Sequence, residues 1–290
     1  MKESVLKFSC EGQPLVGILA QPVGTPSDVA VLIVVGGPQY RVGSHRQFTL
    51  LARHLASHGI TALRFDYRSM GDSPGNARDF LAVDADISAA VTALQAAHPA
   101  IRRVVLWGLC DAASAALMYL DSTRDPRIAG VALVNPWARS AATLAQTHVK
   151  HYYWRRLRQP EFWLKLLRGG IGLTALRTLG RNLHLARGAG QAGQRKADTR
   201  SFQDRMAAGL KGFDGPVLLI LSGDDYTAKE FLEHVNRASN WANLLDRAST
   251  TRVDLPSADH TFSDSQAART VETVTCRWLN SFNVSSQARP

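Results

Sequence analysis

The sequence predicts a doubly wound α/β fold, with a mostly parallel central sheet, helices on both faces and an inserted helical cap. Three observations predict it. Apolar runs of strand length alternate with amphipathic stretches of helix length through most of the chain. The run Val29 to Val35 is continuous and β-branched, as in a strand buried on both faces. The alternation stops between Pro136 and Gly215, where a stretch rich in Arg, Trp and Tyr reads as several helices.

Taken in order, Val5 to Phe8 and Leu15 to Gln21 read as a hairpin turned at Gly12 and Pro14. Val29 to Val35 follows and ends at Gly36-Gly37-Pro38. Ser44 and Gln47 have the spacing of a capping box that opens a helix Phe48 to Ser57, closed by Gly59. A strand Ile60 to Phe65 comes next. Asp79 to Ala97 is helical, with Phe80, Val83, Ile87, Val91 and Leu94 on one face. Ile101 to Trp107 is a strand and an Ala-rich helix follows Cys110. Strands are expected at Ile128 to Val134, Val217 to Leu221 and Arg252 to Leu255, then a last helix through Trp278. The expected organisation is a core of residues 1–135 and 216–290 and an inserted basic helical cap of residues 136–215.

The chain has 290 residues, 45% of them hydrophobic and 20% charged, which is enough to bury a large core and excludes a disordered chain. Its net charge of +10 is concentrated: Arg139 to Lys211 holds 15 Lys and Arg against 3 acidic residues, and the remainder is close to neutral. An anionic substrate, an acidic carrier protein or a lipid surface would complement that segment, with a solvated Arg-rich face as the plainer reading. Nucleic acid is not expected, because no binding motif accompanies the charge. No apolar run approaches the roughly 20 residues of a membrane span, and Met1 to Gly12 lacks the apolar centre of a signal peptide. A cytoplasmic protein without a transmembrane segment is expected, with peripheral membrane contact left open. The three cysteines, Cys10, Cys110 and Cys276, are far apart and suggest reduced thiols, neither a disulfide framework nor a zinc site.

The strongest chemical signal is Trp107-Gly108-Leu109-Cys110-Asp111-Ala112, between an apolar strand and an Ala-rich helix. A tight strand-to-helix turn lifts one side chain into the open and needs small neighbours two residues away, which Gly108 and Ala112 provide. A thiol at a helix N-terminus is also favoured as thiolate. An acid follows the strand Val217 to Leu221, in Ser222-Gly223-Asp224-Asp225-Tyr226, and a histidine, His260, follows Arg252 to Leu255. Asp225 is preferred as the acid over Asp224, since a turn toward the site needs a residue or two beyond the strand. His54 and His58 share a helix face at ligand spacing but lack the Glu of a zinc-protease motif, so a solvated face is the reading, with no metal and no cofactor expected.

The Gly108 to Ala112 turn resembles the nucleophile elbow G-x-S-x-G of α/β hydrolases, with Cys for Ser and Ala for the last Gly. Val35-Gly36-Gly37-Pro38-Gln39 resembles that superfamily's H-G-x-P turn, and Phe65 to Ser73 resembles its D-x-R-G-x-G-x-S loop, with Ser69 where Gly is usual; Asp66 and Arg68 are read there as structural. The chain is identified as a member of the α/β-hydrolase superfamily. Within it, Gly36 to Phe48, Gly108 to Asp111 and His151-Tyr152-Tyr153 look like the exosortase A system-associated hydrolase 1 group, which implies an exosortase and exopolysaccharide context. The resemblance implies a hydrolase of an ester or thioester: Cys110 as nucleophile, His260 as base, Asp225 orienting it, an acyl-enzyme, and an oxyanion hole from the Asp111 and Gly37 amides. His151, Tyr152, Tyr153 and Gln39 are candidate contacts to a small-molecule or carrier-bound acyl substrate. An acyltransferase of the same fold, or a non-catalytic binding protein, remains open on these residues alone.

Overall fold

Eight strands pair in one sheet in the order β1-β2-β4-β3-β5-β6-β7-β8. They are β1 (Lys2–Cys10), β2 (Gln13–Gln21), β3 (Val29–Val34), β4 (Thr61–Asp66), β5 (Arg103–Leu109), β6 (Ile128–Val134), β7 (Val217–Asp224) and β8 (Thr250–Asp259). The computed structural model describes residues 1–37, 39–139 and 198–286, with side chains to residue 281. β1 pairs β2 and β2 pairs β4 antiparallel; every other pairing is parallel. The described helices are α1 (Gln47–Ser57), α2 (Asp84–Ala97), α3 (Asp111–Thr123), α4 (Phe202–Lys211), α5 (Tyr226–Arg237) and α6 (Ser265–Ser286), besides short 3-10 turns.

The period-two alternation of a strand divides the core between two sheet faces. Ala30, Leu32 and Val34 of β3 join α2, α3 and α4 in one apolar cluster. Val29, Val31, Ile33 and Val35 join α1 and α6 in the other. Central strands buried on both faces explain why β3 carries no polar residue, each such side chain contributing about 1.5–3 kcal/mol by leaving water.

Several boundaries differ from the sequence expectation for local reasons. Ser44 does not cap α1: Ser44–Arg46 form a 3-10 turn, and the helix begins at Gln47 behind Arg46, which is left-handed at φ 62 and makes no side-chain cap bond. Asp79 caps a 3-10 turn, Phe80–Ala82, and α2 starts only at Asp84. β8 extends over Pro256, which the outermost strand tolerates.

Contacts divide the chain into two units, Met1–Ala138 with Ser201–Pro290, and Arg139–Arg200. The second unit by contacts is narrower than the insert of residues 136–215 expected from the sequence. α4 belongs to the core unit, where Met206, Ala207 and Leu210 join the α2/α3 cluster and a Cβ on Gly209 would fall 1.9 Å from the Leu117 carbonyl. Most of the second unit lies outside the described residues. Among the described residues, no helix is long and apolar enough to cross a membrane.

Candidate active site

Parallel strands of such a sheet present their following loops along one edge, and the candidate residues come from those after β3, β5, β7 and β8. After β5 the chain turns at Cys110, whose backbone has φ 62 and ψ −125, before α3 starts at Asp111. A β-carbon-bearing residue in that region costs on the order of 1–3 kcal/mol, so the turn must be held by its surroundings. It is held on both sides: the Cys110 amide donates to the Val134 carbonyl at 2.9 Å, and the Cys110 carbonyl accepts from the Trp137 amide at 3.1 Å. Gly108 is required, because a Cβ there would lie 2.6 Å from the Ala112 carbonyl group. The Cys110 side chain is half-buried at the α3 N-terminus, whereas Cys10 and Cys276 are buried. Burial pushes the Cys10 thiol up to about 11 and raises that of Cys276 as well.

Asp224, the last residue of β7, is exposed, and Asp225, directly after it, is 5% exposed. The Asp225 carboxylate accepts the Thr227 amide at 2.9 Å and the Ala228 amide at 3.2 Å, capping α5. Its Oδ2 also lies 2.8 Å from Nδ1 of His260, which follows β8. A carboxylate can only accept from the ring, so this contact selects the neutral tautomer with its proton on Nδ1 and Nε2 as the acceptor. The His260 side chain is 33% exposed.

The loop after β3 holds an arrangement with no counterpart in the sequence reading. The Gly37 amide, expected to be free for an oxyanion, donates to Oδ2 of Asp111 at 2.9 Å. The amides of Asp111 itself and of Ala112 also face that carboxylate. Burial nonetheless raises the Asp111 acid above the ordinary carboxylate range, with the three amides pulling the other way. Gly36 must be glycine here, since a Cβ would fall 2.1 Å from Asp111 Oδ1. The two amides read as oxyanion donors thus converge, but onto a side-chain carboxylate.

The model of the alpha/beta hydrolase family matches residues 31–273. The chain belongs to the alpha/beta hydrolase family. Solved structures similar to this hydrolase-family chain include the esterase Pf2001 of Pyrococcus furiosus, at 15% identity and TM-score 0.61, covering 96% of this chain and 92% of that one. The esterase domain of a Rhodothermus marinus protein is 20% identical, with TM-score 0.59, covering 96% of this chain and 98% of that one. XC6422 of Xanthomonas campestris, described as an a/b serine hydrolase without lid, is 15% identical with TM-score 0.57, covering 97% and 95%. At these identities the likeness establishes the fold. No curated protein matches the chain in sequence.

In this alpha/beta hydrolase, Gln39 is engaged within its own loop, where Oε1 accepts the Ser44 amide at 3.3 Å. His151, Tyr152 and Tyr153 lie outside the described residues. Asp66 and Arg68 are framework groups: Asp66 is buried and accepts the Arg41 amide at 2.7 Å and the Asp72 amide at 3.0 Å. Arg68 is buried against Asp86, with N–O distances of 2.8 and 2.9 Å. Gly71 is tied to that framework, since a Cβ on it would meet Asp66 Oδ2 at 2.2 Å.

Asn135 escaped the sequence reading. It directly follows β6, fully buried, at φ 44. Its Oδ1 accepts the Ser222 amide at 2.8 Å, and its Nδ2 donates to Ser222 Oγ at 2.9 Å and to the His260 carbonyl at 3.3 Å. Ser222 Oγ in turn donates to the Asp259 carbonyl at 2.9 Å. One amide therefore clamps the β7 end to the His260 loop. The only sequence signal was an Asn directly after an apolar strand, where left-handed backbone suits Asn.

Proposed function

We propose that the chain hydrolyses an ester or thioester through an acyl-enzyme on Cys110. The observation that carries this reading is the strained Cys110 turn at the α3 N-terminus in a chain whose His260 ring is paired with Asp225 at 2.8 Å. His260 Nε2 takes the Sγ proton and the thiolate adds to the substrate carbonyl. The tetrahedral adduct collapses as His260 returns the proton to the leaving alcohol or thiol, leaving a thioester on Cys110. His260 then deprotonates a water, which attacks that thioester, and the thiol re-forms as the acid departs. Asp225 keeps the ring in the tautomer that both steps need.

The Asp111 and Gly37 amides are the oxyanion donors in this reading, and the Asp111 carboxylate is their resting occupant. Substrate must displace it, because two negative charges cannot share those donors. Esterase neighbours support acyl chemistry as the reaction class. The basic segment supports an anionic substrate or carrier, and the resemblance to the exosortase-associated group supports an exopolysaccharide setting. The test is a panel of activated esters and thioesters, quenched in acid and analysed by mass spectrometry. The reading expects an acyl adduct on the peptide that carries Cys110, absent in Cys110→Ala; turnover undiminished in Cys110→Ala would overturn it.

A further inference from the structure

His54, in the last turn of α1, and His58, at its C-cap, lie on one helix face, and α6 packs Cys276 against them. A ring nitrogen of each histidine and the Cys276 sulfur all lie within 4.8 Å of one another. Zinc bound by nitrogen and thiolate holds neighbouring ligand atoms about 3.3–3.8 Å apart, so the cluster needs a contraction of about 1 Å, within side-chain rotation.

Two further contacts fit an ion-binding site. His58 Nδ1 stands 2.8 Å from the His54 carbonyl, which leaves Nε2 as the ring nitrogen that would bind an ion. A backbone carbonyl on the second ring nitrogen is the usual partner of a metal-bound histidine. Glu272, one helical turn before Cys276, has Oε2 3.8 Å from His54 Nδ1. With the thiolate it would supply two negative charges, matching a divalent cation.

We propose that His54, His58 and Cys276 bind a Zn²⁺-type ion, with Glu272 as the charge beside it, and that the ion staples α1 to α6. The proposal departs from the sequence expectation of a solvated histidine face and no metal. The set is soft enough for zinc and cobalt and unsuited to magnesium or calcium. Its role is structural, since it lies far from the elbow: the α1 C-terminus leads into the start of β4, while Cys110 follows the end of the parallel strand β5. α6 descends directly from the His260 loop, so fastening it to α1 also steadies that loop from behind.

The experiment titrates the reduced, chelator-treated, untagged full chain with Co²⁺. It reads the near-ultraviolet thiolate-to-cobalt charge-transfer band, then repeats with Zn²⁺ while following the melting midpoint. One equivalent of Co²⁺ should raise the band, and Zn²⁺ should raise the midpoint. Cys276→Ser should abolish the band. His58→Ala, at an exposed position that leaves the fold intact, should weaken binding roughly tenfold or more. Cys110→Ala should keep both signals. A wild-type chain without the band, equal affinity in His58→Ala, or loss of the band in Cys110→Ala would overturn the proposal.

Discussion

The Asp111 carboxylate accepts the Gly37 amide at 2.9 Å, so the donor that the loop after β3 would offer an oxyanion already holds a negative charge. Burial that raises the Asp111 acid makes this charge costly, and it stands next to the residue proposed as nucleophile.

Removing that charge should speed the reaction. Asp111→Ala frees the Gly37 amide and takes a repelling carboxylate away from the developing oxyanion, so kcat/KM on an activated ester should rise. Steady-state kinetics checks this, and a fall in kcat/KM would mean the carboxylate assists the chemistry.

The same shift sets a pH dependence of stability. A carboxyl whose folded pKa is raised binds its proton more readily in the folded chain, so its contribution is fully favourable below the unfolded value and is lost as pH rises through the folded one. Denaturant titrations of wild type and Asp111→Asn should therefore converge at acid pH, with the variant gaining on wild type as pH climbs toward neutrality.

Asp225 has two duties that substitution can separate. Asn caps a helix about as well as Asp, so Asp225→Asn should keep the melting midpoint while kcat falls on the order of 10³–10⁴-fold, through loss of the His260 tautomer. Asp225→Ala should lose activity similarly and also about 1 kcal/mol of stability.

The contact of α4 with α3 gives a test away from the site. Gly209→Ala places a methyl 1.9 Å from the Leu117 carbonyl and should cost on the order of 1–3 kcal/mol or more in denaturant unfolding. An unchanged midpoint would return residues 201–215 to the insert.

What could be read from the sequence was whatever local spacing encodes. Strand-length runs gave the sheet, and the small residues around Cys110 gave the turn, because those demands act within a few residues. Asp225 was preferred over Asp224 from loop length, and the structure buries the first against His260 and exposes the second. Contacts across distant segments were not legible. Nothing near Asp111 announces that its side chain folds back onto Gly37, and nothing near His58 announces Cys276. Ser44 and Gln47 carried a capping pattern, yet the Ser44 amide is bound by Gln39 and the helix starts elsewhere, tertiary context overriding a local motif.

The most direct measurement is the rate at which iodoacetamide alkylates each cysteine at neutral pH, resolved by peptide mass spectrometry, in wild type and His260→Ala. A thiol activated by His260 at a helix N-terminus should react far faster at Cys110 than at buried Cys10 or Cys276, and that advantage should vanish in His260→Ala. Equal rates at the three sulfurs, or a Cys110 rate indifferent to the loss of His260, would contradict the account.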